Sequence, residues 1–225
     1  MAGDKWKFVV TIDEAWIHMS DTNKKRSIYY HKRGDKDRQI WFKECFESYP
    51  KGFMIVAGFC YKGKLKLKKV EPNTKINSNY YQTNVIAPIF RNEIPLLYGN
   101  QANMVAFHQD KASSHTSNST RQFLDLMTAE TSIKAIPFSH IPVKSPDASP
   151  MDFCAFGLLK QALGKRHPKT LAGLWKVVND EWNKLDLTVL RKSLLAWKFR
   201  CRAIVKNQGK QIEHNKKRNY GLLNK

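Results

Sequence analysis

Three carboxylates stand where a mainly apolar stretch stops or a helix starts. Asp13 follows Trp6 to Ile12, Asp110 follows Met104 to Phe107, and a third is either Asp147 or Asp152 in Ser145-Pro-Asp-Ala-Ser-Pro-Met-Asp152. Oxygen ligands of this kind suit a hard divalent cation. A strand end can hold a short Asp side chain rigidly enough for two ions roughly 3.5–4 Å apart. A single Asp at such a place commonly caps a loop or helix, so the joint pattern carries the reading. Within the third group, Ser149-Pro150-Met151-Asp152 has the form of a capping box, with Ser149 at the N-cap, Pro150 at the first helical position and an acid at the third. The positive end of the helix dipole favours the ionised acid, so Asp152 is preferred to Asp147, which reads as a loop cap.

The elements that must position these acids can be traced along the chain. Trp6 to Asp13 reads as a strand with Phe8, Val10 and Ile12 on one face and Val9, Thr11 and Asp13 on the other. Gly52 to Tyr61 is a nearly continuous apolar run, Lys62-Gly63 a turn, and Leu65 and Leu67 then alternate with lysines, as in a β-hairpin. Asn77 to about Phe90 favours a helix broken near Pro88, followed by a short strand at Met104 to Phe107. Ser119 to Met127 is helical, Ile133 to Ile136 is a further strand, and a helix starts at Ser149. The C-terminal third carries two helical stripes, Leu171, Leu174, Trp175, Val178 and Trp182 after Thr170 as N-cap, then Leu190, Leu194, Trp197, Cys201 and Ile204.

The 225 residues hold 39 Lys plus Arg against 19 Asp plus Glu, a formal charge of +20, which makes a polyanion the first partner to consider. With 42% hydrophobic residues the chain can bury a core, so wholesale disorder is excluded. The longest apolar run, Phe53 to Cys60, is far short of the roughly 20 residues a spanning helix needs. Asp4, Lys5 and Lys7 interrupt any secretory signal. The four cysteines, Cys45, Cys60, Cys154 and Cys201, lie far apart without zinc-ligand spacing and read as reduced, mostly buried thiols.

The blocks Thr11-Ile-Asp-Glu-Ala-Trp-Ile-His18, His108-Gln-Asp-Lys-Ala-Ser-Ser-His115 and Ser145-Pro-Asp-Ala-Ser-Pro-Met-Asp-Phe153 resemble, in order, the three signature blocks of mariner-type transposases of the Tc/mariner superfamily. The resemblance implies an α/β, RNase H-like mixed sheet flanked by helices, in which the first and fourth strands are neighbours. It makes Asp13, Asp110 and Asp152 the catalytic and metal-binding triad for two Mg²⁺ or Mn²⁺, with Asp13 the bridge between the ions. Glu14, on the opposite strand face, reads as structural. His18, His108 and His115 fall within the blocks, where hydrogen bonding near the site is the plain role. The implied activity is metal-dependent DNA cleavage and strand transfer in the nucleus, by a homodimer on duplex DNA, with no membrane association. A domesticated scaffold without chemistry and an RNase H-type nuclease remain as alternatives.

The chain departs from the family pattern in two places. Lys111 stands where the second block usually has Asn, and 41 residues separate Asp110 from Asp152 where the best-known mariners have 34. The family's N-terminal helix-turn-helix modules have no counterpart here. The expected organisation is a catalytic domain over 1–186, with a basic arm inserted at about 22–48, and a basic C-terminal helix and tail over 187–225. The arm sits where the family carries its clamp loop and holds eight Lys or Arg among Tyr29, Tyr30 and Trp41. Candidate phosphate contacts are Lys24, Lys25, Arg26, Lys32 and Arg33 on the arm, Lys111 and His115 beside the second acid, and Arg191, Lys198 and Arg202 on the last helix.

Overall fold

The computed structural model describes residues 3–19, 51–72, 74–142, 145–210 and 212. The arm, with its five candidate phosphate contacts and Cys45, lies outside the described residues.

A 3₁₀ segment, Gly3–Phe8, leads into β1 (Val9–His18), which is followed by β2 (Gly52–Cys60), β3 (Lys68–Lys69), β4 (Ala106–His108) and β5 (Lys134–Ala135). They form one five-stranded sheet in the order β3-β2-β1-β4-β5, antiparallel across β1 and β2 and parallel across β1, β4 and β5. Such a mixed sheet needs cover on both faces. On one face Val10, Ile12, Val56 and Phe107 pack beneath Tyr81, Ile86, Phe90 and Leu124. On the other, Ala15, Ile17, Ile55 and Phe59 meet Leu159, Val178, Trp182, Leu190 and Leu194. The strict alternation along β1 thus divides the chain between two cores.

The helices are α1 (Ser78–Tyr80), α2 (Ile94–Tyr98), α3 (Ser113–Thr116), α4 (Asn118–Thr131), α5 (Phe156–Leu163), α6 (Leu171–Lys184) and α7 (Leu187–Lys206). The helix expected to break near Pro88 does not. Wide π-type turns at Tyr81–Ile86 and Ile89–Glu93 carry it from α1 into α2, with Pro88 at the cap between them. β1 also differs from expectation, for its first turns are 3₁₀ and it continues five residues past Asp13. Asp13 is therefore not at the end of its own strand. Cys60 is buried as expected, but Cys154 is half-buried and Cys201 is exposed.

Thr170 caps α6 as its sequence position implied, its hydroxyl accepting from the Gly173 N–H at 3.0 Å. The other end of α6 is held by Lys64, whose ammonium donates to the carbonyls of Trp182, Asn183 and Leu185 at 2.9, 2.8 and 2.8 Å. A cation on the last carbonyls offsets the helix dipole and ties α6 to the sheet edge. Lys64→Met keeps the stem but removes all three donors. It is expected to cost about 2 kcal/mol and lower Tm by roughly 4–8 °C, measured by calorimetry. An unchanged Tm would show that the tie is not needed.

Candidate active site

The site follows from strand register. Thr11 on β1 stands opposite His108 on the parallel β4, so two residues further on Asp13 and Asp110 are aligned on the same side of the sheet. β1 is paired with β2 as far as His18, whereas its ladder with β4 stops at Thr11. Asp13 is thus fixed inside a long strand at the point where its other neighbour ends, which leaves a mouth beside it. One step below, the Thr11 hydroxyl and His108 Nδ1 are 3.0 Å apart, and the edge of His108 packs against Trp197 of α7.

The third acid arrives from the core beneath Asp13's own face of β1, where Met151 and Ala155 pack with Ala15 and Ile17. Asp152 sits in a π-type first turn, Met151–Ala155, that leads into α5, and its carboxyl reaches hydrogen-bonding contact with Asp13 and Ser149. The capping box expected there is only half formed. Pro150 takes the cap position and no side chain caps the turn, while the Ser149 carbonyl accepts the Phe153 N–H at 3.0 Å. Asp110, Lys111, Ser149 and Asp152 line a cleft of about 430 Å³ with His108. Asp147 is elsewhere. It is buried, its Oδ2 accepts the Ile212 N–H at 3.1 Å and its carbonyl accepts Arg200 Nε at 2.9 Å. It pins the chain beyond α7 to the loop before α5.

Electrostatics separate the three acids. Burial pushes the Asp13 carboxyl well above the usual range, and the charges of Asp152, Glu14 and Asp110 push it further. Asp152 is raised as well, first by burial. Asp110 goes the other way: burial would raise it, but the hydrogen bond and charge of His115 outweigh burial and hold it below its ordinary value. His115 gains in return, since its contacts with Asp110 and Glu14 overcome burial and lift it to about 9. His108, deeply buried, falls to about 4 and is neutral at pH 7 despite the nearby Asp110. Two adjacent carboxyls driven towards protonation, next to a third held ionised, form a site that gains from a bound cation. The carboxylate donor set suits Mg²⁺ or Mn²⁺.

The remaining candidates divide. Lys111 lines the cleft, Lys198 is half-buried on α7 and Arg202 is exposed on that helix. Arg191 is occupied by packing, its Nε donating to the Tyr61 carbonyl at 2.8 Å and its guanidinium lying 4.6 Å from the Tyr61 ring. His115 is 1% exposed, with Nδ1 2.6 Å from Asp110 Oδ1 and Nε2 3.4 Å from Glu14 Oε1. This geometry corrects its reading as a phosphate contact. Glu14 does face away from Asp13, as strand alternation requires, yet it reaches Asp110 through His115. The ring of Tyr81 stacks on His115 with centroids 3.9 Å apart, and no sequence signal marked that tyrosine.

No protein-family profile matches the chain. Over 219 residues it is 29% identical to the Tc3 transposase of Caenorhabditis elegans, covering 94% of this chain and 60% of that protein. Among solved structures it superposes on the Mos1 strand transfer complex with a TM-score of 0.72 at 21% identity, covering 94% of this chain and 57% of that one. It superposes on the Mos1 transposase catalytic domain with raltegravir and Mg with a TM-score of 0.66 at 20% identity, covering 92% and 87%. The chain therefore spans about 60% of the length of its curated relative, and nearly all of it overlies the Mos1 catalytic domain. The mixed sheet flanked by helices is the RNase H-like fold of that domain. By sequence the chain is similar to the Tc3 transposase, and by fold it is similar to the Mos1 catalytic domain.

Proposed function

We propose that this chain is the catalytic part of a DNA transposase acting in the nucleus. In this reading it hydrolyses phosphodiester bonds at element ends and joins the freed 3′-OH to target DNA. The observation that carries the proposal is the approach of Asp13, Asp110 and Asp152 from β1, from the segment just after the parallel β4 and from a helix start, with 96 and 41 residues between them along the chain. Asp13, Asp110 and Asp152 would hold two Mg²⁺ or Mn²⁺, which when bound supply activation of the attacking oxygen and stabilisation of the leaving oxygen. The Mg-bearing Mos1 catalytic domain supports the choice of ion, and the Mos1 strand transfer complex supports the joining step.

The residues of this chain have distinct tasks. Asp13, buried beside the other acids, would help hold the metal together with them. Its Oδ1 already accepts the Glu14 N–H at 2.7 Å, which fixes the carboxyl plane. Asp110 and Asp152 would each hold one ion at the cleft walls. Lys111 at the rim, Lys198 and Arg202 on α7, and the basic arm would neutralise phosphates without reading bases. A homodimer around two DNA ends completes the proposal.

Plasmid nicking in Mg²⁺ or Mn²⁺, with an RNA–DNA hybrid assayed alongside, tests this reading. Metal-dependent cleavage of duplex DNA supports it, hybrid cleavage alone would indicate an RNase H-type nuclease, and binding without cleavage would indicate a scaffold. DNA affinity is expected to fall by roughly a thousandfold between 50 and 200 mM salt, with little sequence preference. Selectivity for one short site in a competition assay would mean that the domain reads bases itself.

A further inference from the structure

Asp110 is held on one side only. Its Oδ1 accepts the Ala112 N–H at 3.0 Å and meets His115 Nδ1 at 2.6 Å. Both contacts fall on the same oxygen, which leaves Oδ2 for the cleft that Asp110 shares with Asp152. His115 has no freedom of its own. Glu14 meets its other nitrogen at 3.4 Å, and the Tyr81 ring lies against it, 3.9 Å between centroids and 25° between planes. Tyr81 is in turn fixed by a short hydrogen bond from its hydroxyl to Gln109 Oε1, within the same block as Asp110. This chain of contacts runs from β1 through α3 to the segment after β4, and all of its members but Asp110 are largely withdrawn from solvent.

Glu14, Asp110 and His115 are also the one group of three acidic, histidine or cysteine side chains among the described residues whose ligand atoms all lie within 4.8 Å of one another. The 2.6 Å contact argues against a cation shared among them, because it is a hydrogen bond, and an ion between two such atoms would hold them about 3 Å apart or more.

We propose that His115, backed by Glu14 and Tyr81, is a positioning residue that turns Asp110 so that a single oxygen, Oδ2, faces the cleft as a metal ligand. The assignment rests on the metal-site reading above. An outer partner that orients a ligating carboxylate typically governs metal affinity by 10- to 100-fold.

Two substitutions of similar polarity separate positioning from packing. In His115→Asn the amide nitrogen falls near the Nδ1 position and keeps the contact with Asp110. In His115→Gln it falls near the Nε2 position and keeps only the contact with Glu14. Mn²⁺ affinity of the full chain, measured by titration calorimetry on variants shown to be folded by circular dichroism, is the readout. His115→Gln is expected to bind Mn²⁺ 10- to 100-fold more weakly than wild type, and His115→Asn within about threefold of it. Glu14→Gln, which leaves Asp110 untouched, is expected to fall between them. Equal affinities for the Asn and Gln variants, or weaker binding by the Asn variant, would overturn the assignment while leaving the metal site in place. A wild-type chain that binds no Mn²⁺ at all would instead remove the metal-site reading on which the assignment stands.

Discussion

Asp13→Ala and Asp110→Ala are each expected to reduce divalent-metal-dependent nicking at least about a thousandfold while leaving DNA affinity within a fewfold of wild type. The loss is large because neither acid has a substitute. Asp13 is the one carboxyl of the three that touches another of them from inside the sheet, and Asp110 is the one held ionised by a neighbour. DNA affinity should survive because it comes from Lys and Arg spread over the surface, and removing an acid beside the phosphate path does not weaken it. Cleavage at the wild-type rate by either folded variant would refute the metal-site assignment.

The same cluster has a stability signature in metal-free protein. Asp13 has a folded pKa raised above its unfolded value, so its favourable contribution is complete below the ordinary carboxylate range near pH 4. That contribution is lost as pH climbs through neutrality towards the raised folded value. Asp13→Asn, which cannot ionise, should therefore gain on wild type as pH rises from 5 to 8, by on the order of 2–3 kcal/mol or roughly 4–10 °C in Tm. Saturating Mg²⁺ should reverse the order, because the cation stabilises only the wild-type site. Parallel melting curves for the two proteins across that pH range would mean that Asp13 is ionised without cost.

What was legible in the sequence was the part that depends on spacing. Alternation along β1 placed Asp13 and Glu14 on opposite faces, and the apolar stripes of α6 and α7 identified Leu174, Val178, Trp182, Leu190 and Leu194 as core. What was not legible depended on through-space partners. Nothing in the order of residues shows that β1 outruns β4, so Asp13 was read as a strand end when it lies inside a strand whose neighbour stops. Pro88 signalled a break because its ring and missing N–H disrupt a regular α-helix, whereas the chain forms wide π-type turns on either side of it. Arg191 looked like part of a basic face by helical period, but its Nε donates to the carbonyl of Tyr61, 130 residues away, and its guanidinium lies over that ring. His115 carried the right residue type for a phosphate contact, and only the fold reveals that both its nitrogens are turned inward.

The choice between Asp147 and Asp152 produces the second large effect, and cysteine substitution exposes it. A thiolate is a poor ligand for Mg²⁺ but accepts softer ions, so Asp152→Cys should lose Mg²⁺-dependent cleavage by a hundredfold or more and recover part of it in Mn²⁺. The structural grounds are that Asp152 lines the cleft, touches Asp13, and takes the Ser149 hydroxyl, which would orient it without filling its coordination. Asp147 lies behind the same loop with its carboxylate spent on the Ile212 N–H, so Asp147→Cys should remain active in Mg²⁺. Its cost should appear in stability instead, at about 1–2 kcal/mol, since the Ile212 N–H would lose its acceptor while the carbonyl contact with Arg200 stays. Measured together, the two variants give crossed results: one stable and metal-selective, the other active and less stable. If Asp147→Cys were the metal-selective variant, the third ligand would move to position 147 and the spacing from Asp110 would shorten to 36 intervening residues. The half-formed cap at Ser149 would then have no bearing on catalysis.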